Sequence, residues 1–167
     1  MHSEAASLTA FLSAQRWCVL EVVEGLDDRQ LRQSTVPSGW TPLGMIEHLA
    51  DAERFWFQHV VANAGSVDPE PAAGSEEGAW EDKGPFVTGR SAPDVIALYR
   101  EQVRLADEIL AGVSLDTPPA GPVPPDMDEI HTVRDVVLHM IEETARHVGH
   151  LDIARELIDG RTGLAPR

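Results

Sequence analysis

The stretch from Thr132 to Gly160, TVRDVVLHMIEETARHVGHLDIARELIDG, constrains the fold more than any other part of the chain. Thr132 with Asp135 three residues later is a capping-box signature, and Gly160 stands where a helix C-terminus commonly turns left-handed. The stretch therefore reads as one long helix. At about 100° per residue, Val133, Met140, Leu151 and Ile158 fall within about 20° of one another, a stripe that must face a core. His147 lies within roughly 20° of that stripe and Glu143 about 60° off its axis. Four residues apart, the two side chains meet one turn above the other. A carboxylate and an inward imidazole at that spacing make half of a metal site. The other half must come from another helix.

Three further helices are predicted. Residues 4–25 place Leu8, Phe11, Leu12, Cys18, Val19, Val22 and Val23 at spacings of three and four, with Gly25 as the stop. A short turn capped by Asp27 follows, with Leu31 tucked inward. The second long helix opens on Thr41 as cap and Pro42 at the first helical position, where a missing N–H costs nothing. Pro42, Met45, Leu49, Ala52, Trp56 and Val60 form its core stripe, with Ile46 and Phe57 beside it. His48 lies off the centre of that stripe, on the side of Asp51 and Phe55. Ser91, Pro93 and Asp94 open a third helix that runs to about Val113.

Four long helices with no strand pattern predict an all-α four-helix bundle. The connections 64–91 and 114–131 are long enough for crossovers. The first, rich in Gly, Pro and acidic residues, carries Trp80 and Phe86 as its large apolar groups and is expected to fold back over something. The chain's 167 residues suffice for one core, so a single domain spanning 1–167 is expected.

A net charge of -15 with scattered basic residues argues against nucleic acid and anionic membrane surfaces, which need basic patches. No apolar run reaches the roughly 18 residues that read as a membrane span, and the N-terminus lacks a basic leader region. The lone Cys18 makes no internal disulfide and is read as a small buried hydrophobe in a reducing cytoplasm.

His48 on the second helix, with Glu143 and His147 on the fourth, forms a candidate set of metal ligands. Two imidazoles and a carboxylate suit zinc or nickel, or the open-sided iron(II) triad, and leave positions for water or substrate. A Glu and His at i, i+4 can equally be a helix-surface pair. His139 and His150 lie about 20–40° further round, and His150 could replace Glu143 or act as an outer-sphere donor. His59 is read as solvated, His2 and His131 as terminus and loop residues, and Glu47 and Glu142 as solvated charges. Trp40, Trp56 and Trp80 could wall a pocket, Trp56 reading more naturally as core.

The segments SGWTPLGMIEHLADAERFWF and TVRDVVLHMIEETARHVGHLDIARELIDG resemble the two signature helices of the DinB-like superfamily, above all its uncharacterised actinobacterial branch. The resemblance implies a four-helix bundle of the DinB-like type, often a homodimer, with a divalent metal held by three side chains. One would be His48 of the EHLADAER motif. The others, usually HxxxH, are Glu143 and His147 here. The ExxxH form is similar to that of a related branch with mycothiol-dependent maleylpyruvate isomerase and other thiol transferases, where zinc activates the thiol. What this implies is a metal-dependent transferase or isomerase acting on a small-molecule substrate, with mycothiol as thiol co-substrate. The alternatives are a non-catalytic metal- or ligand-binding stress-response module and a metal-dependent hydrolase.

Overall fold

Each long segment of three-and-four apolar spacing forms a helix in the computed structural model, which describes residues 3–64 and 86–163. Helix α1 (Glu4–Val22) starts at Ser3, whose hydroxyl accepts from the Ala6 N–H. The helical turn α2 (Asp28–Leu31) carries a full capping box between Asp27 and Gln30, and Leu31 is buried. Helix α3 (Pro42–Glu53) opens under Thr41, whose Oγ1 takes the Gly44 N–H. Helix α4 (Ala92–Gly112) is capped by Ser91, and α5 (Val133–Asp159) by the reciprocal Thr132–Asp135 box. At its far end Gly160 adopts the expected left-handed conformation, φ 78°.

Two expectations about helix geometry are corrected. The first helix stops at Val22, short of Gly25, and the Arg155 guanidinium on α5 takes the carbonyls of Val22 and Glu24. The chain then turns at Gly25 with φ 81°. In the second helix, α3 widens after Glu53 into a π-helical segment, Arg54–Val61, where a continuous α-helix was expected. Apolar periodicity could not distinguish the two. Trp56/Val60 and Phe57/Val61 are four apart, and over eight residues that spacing keeps one face inward at either pitch.

Helix α1 packs chiefly along α5, and α3 along α4, with the π segment bridging α4 and α5. The core divides in two. One cluster gathers Val19, Leu43, Ile46, Leu49, Val95 and Leu151; the other gathers Leu12, Phe57, Val60, Val136 and Met140. The connection after α4 runs back over the end of the π segment: Gly121 N–H donates to Val60 C=O and Ala120 N–H to Val61 C=O. The described residues form an all-α bundle, as predicted, without strands. Most of the connection expected over 64–91, including Trp80, lies outside them; Phe86–Arg90 lies within.

Candidate metal centre

Helix α3 carries His48 and helix α5 carries Glu143 and His147, and their packing brings all three side chains together. His48 Nε2 lies 3.1 Å from Glu143 Oε1, and His147 Nε2 lies 3.0 Å from the same oxygen. Ligand atoms of the three residues all fall within 4.8 Å of one another. Two imidazole N–H groups thus converge on one carboxylate oxygen. In a tetrahedral zinc site with bonds of about 2.0–2.1 Å, ligand atoms stand about 3.3 Å apart. The two histidine–glutamate spacings are already close to that and the imidazole nitrogens lie within 4.8 Å of each other, so the donor set fits a divalent ion after a small approach of the rings and loss of the two Nε2 protons. Three protein ligands leave an open side for a fourth group.

Burial grades across the site. His147 is the inner member, with its side chain 10 % exposed, against 23 % for Glu143 and 28 % for His48. The hydrogen bond from His147, then that from His48, holds the Glu143 carboxyl well below its ordinary range. It is an anion at any pH near neutrality.

His150 does not replace Glu143 in this cluster. Its Nδ1 meets Nδ1 of His147 at 3.2 Å, behind the ligand ring. Burial, then the neighbouring His147, lowers the pKa of His150, favouring the neutral ring that can accept a hydrogen bond. Trp40 flanks His150, with ring centroids 6.1 Å apart.

The remaining sequence candidates separate from the site. His139 packs on the core residue Trp56 at 4.5 Å. His131 and Glu142 are exposed, as read from sequence, and His2 lies outside the described residues. His59 is half-buried against Phe55, contrary to its reading as solvated, because the connection after α4 closes over the end of the π segment. Glu47 is also corrected: its side chain is only 13 % exposed and pairs with Arg90 Nε at 2.8 Å, since the segment after Phe86 lies across α3.

Of two further features, the sequence reading expected the first in part and passed over the second. Phe86 stacks on His48, with centroids 4.1 Å apart and planes at 33°, and presents its ring edge-on to His147 at 5.8 Å. Only its apolar character inside a polar stretch signalled it. Away from the site, Arg16 on α1 makes a two-point bond to Glu53 on α3, at 2.7 and 2.6 Å, with both residues buried. A third bond, 2.8 Å, reaches Asp107 on α4.

Residues 7–160 match the family model described as mycothiol-S-transferase. The chain belongs to the mycothiol-S-transferase family. That places it in the DinB-like superfamily, as the two signature helices implied. A comparison with curated proteins found no match. In this mycothiol-S-transferase family member Glu143 and His147 of the last helix and His48 of the second are a candidate group for holding a metal ion. Among the described residues no helix is long and apolar enough to cross a membrane.

Proposed function

We propose that this chain is a metal-dependent thiol S-transferase, with His48, Glu143 and His147 as the ligands of a divalent metal, zinc before nickel or iron(II). Its thiol co-substrate is mycothiol and its acceptor a small electrophilic molecule. The observation that carries the reading is the convergence of both Nε2 atoms on Glu143 Oε1, in a chain of the mycothiol-S-transferase family. Residues 1–167 act as one domain in the cytoplasm, and the active form is a homodimer. Exposed Trp17 on α1 and Ile153 and Leu157 on α5 offer apolar surface for that association.

A bound divalent ion supplies the positive charge that keeps a thiol deprotonated at neutral pH. Glu143 contributes one negative charge and the two neutral imidazoles none, so the site keeps a net positive charge for an incoming thiolate. His150 accepts the Nδ1 proton of His147 in a hydrogen bond and so directs Nε2 inward. Phe86 and Trp40 limit water on their side of the site, which strengthens charge attraction there. In the reaction the thiol proton leaves to solvent, and the sulfur forms a bond to the electrophilic carbon. As that bond forms, the carbon's bond to a leaving group, or its π bond to a neighbouring atom, breaks; the leaving group or the neighbouring atom keeps the electron pair and takes up a proton.

Elemental analysis of protein purified without tag or chelator tests the reading, alongside His48→Ala and Glu143→Ala. About one metal per chain is expected, lost in both variants. Thiol transfer should stop on chelation and return with zinc. Retention of metal by Glu143→Ala would move the third ligand to His150, and transfer by rigorously metal-free protein would end the proposal.

A further inference from the structure

Among the described residues, the two candidate imidazole ligands are supported differently. His147 has a polar partner behind it, since its Nδ1 meets His150. His48 has none there: its one hydrogen bond uses Nε2, the atom that would bind the metal. Imidazole ligands ordinarily have the second ring nitrogen tied to an acceptor that fixes the ring's orientation.

Among the described residues His147 meets the His48 ring edge-on at 5.0 Å, and the ring stacked on its face is that of Phe86. Its backbone has φ 62°, a left-handed conformation that is a genuine outlier for a bulky side chain. Such strain persists only where the surroundings over-determine it, and here they do. Thr41 N–H donates to Phe86 C=O at 3.1 Å. The same carbonyl lies so close over α3 that a Cβ on Gly44 would stand 1.8 Å from its oxygen. Beyond it, the Arg32 guanidinium donates to Thr88 C=O and Arg90 C=O, and Arg90 pairs with Glu47. Residues 86–90 are thus pinned to α3 from one side and tethered by Arg32 from the other. The outcome of this anchoring is an aromatic ring laid on His48.

We propose that Phe86 is the positioning residue of the site: its strained backbone holds its ring on the face of His48 and thereby aims His48 Nε2 at Glu143. It replaces, with an aromatic face, the hydrogen bond that His150 provides to His147. The proposal rests on the metal reading above, but the ring contact exists without metal and can be measured without it.

The test compares Phe86→Ala, Phe86→Leu and Phe86→Tyr. Zinc affinity is read by competition with a chromophoric chelator, and the histidine ring nitrogens and protons by NMR on metal-free protein. Phe86→Ala should weaken zinc binding about tenfold, the low end of the loss seen for outer-sphere partners, with stoichiometry retained. In the metal-free protein it should shift the His48 ring-nitrogen signals, which report the Nε2 hydrogen bond to Glu143 and not merely the lost ring current, while leaving those of His139 in place. Phe86→Leu keeps apolar bulk and tests the same loss should the Ala variant unfold; Phe86→Tyr keeps the ring and should restore both readouts. Unchanged His48 signals in the Ala and Leu variants would overturn the proposal, as would wild-type zinc affinity in both or no rescue by tyrosine. A wild-type protein that takes up no zinc would instead remove the metal reading, and the ring signals would still decide the role of Phe86.

Discussion

Glu143 Oε1 accepts from two imidazoles at once, and that arrangement has consequences with and without metal. The two hydrogen bonds, His147 first, lower the Glu143 pKa below its ordinary value of 4.5. A carboxyl whose folded pKa is depressed adds stability that is fully present above its unfolded pKa and is lost as pH falls through the folded one. Metal-free protein should therefore lose thermal stability as pH drops below about 4.5, and Glu143→Gln should lose less over that range. Melting curves from pH 6 to about pH 2 check this; parallel curves for the two proteins would contradict it. His150 acts at one remove. His150→Ala should keep the metal stoichiometry but weaken zinc affinity by about 10–100-fold, because His147 Nδ1 loses its partner. Calorimetric titration reads that directly. That Glu143 and His147 share one helix face was legible in the sequence from periodicity, and the resemblance added His48 as their candidate partner. The role of His150 was not. Whether it enters the cluster or backs His147 depends on ring rotation, and spacing does not encode that.

Caps and stops were readable at the level of the helices, since Thr41–Pro42, Ser91 and Thr132–Asp135 each act through a local hydrogen bond. Features set by distant backbone were not. The carbonyls at the end of α1 are taken by Arg155 from the other end of the chain, and the half-burial of His59 depends on a connection that follows α4. Two helix–loop approaches of this kind yield a paired prediction. A Cβ at Gly44 would stand 1.8 Å from Phe86 O, and one at Gly121 would stand 2.0 Å from His59 O. Both contacts are with backbone, which cannot swing aside. Each Gly→Ala change should cost about 1–3 kcal/mol, as overpacking does, and lower the melting temperature. Only Gly44→Ala should also weaken zinc binding, because only there does the displaced segment carry the ring that lies on His48. Equal zinc affinities in the two variants would show that the approach at Gly44 matters to the fold alone.

Across the whole molecule, three helices meet at a buried charge. Arg16 interrupts the apolar run Leu12, Cys18 and Val19 on α1, and Glu53 interrupts the run Leu49, Phe57 and Val60 in the second helix. Opposite charges at core positions of two helices are a legible sign that those helices pack together, although the sequence reading passed over them. Burial pushes the Glu53 carboxyl up, against the pull of Arg16. The Arg16 guanidinium also lies over the Phe57 ring at 5.4 Å, so its position is fixed by packing as well as by charge. Two ions withdrawn from water recover their hydration cost only while both are present. Arg16→Met should therefore destabilise the bundle by about 3–5 kcal/mol by stranding Glu53, whereas Arg16→Met with Glu53→Leu should restore most of the loss. Denaturant unfolding of the two variants and the parent separates these cases. A double variant no better than the single one would mean that the pair does more than cancel its own desolvation, with Asp107 on α4 depending on it for register. Restored stability with unchanged zinc affinity would instead show that the pair joins helices without shaping the metal centre, leaving His48 to be aimed from the α3–Phe86 contact.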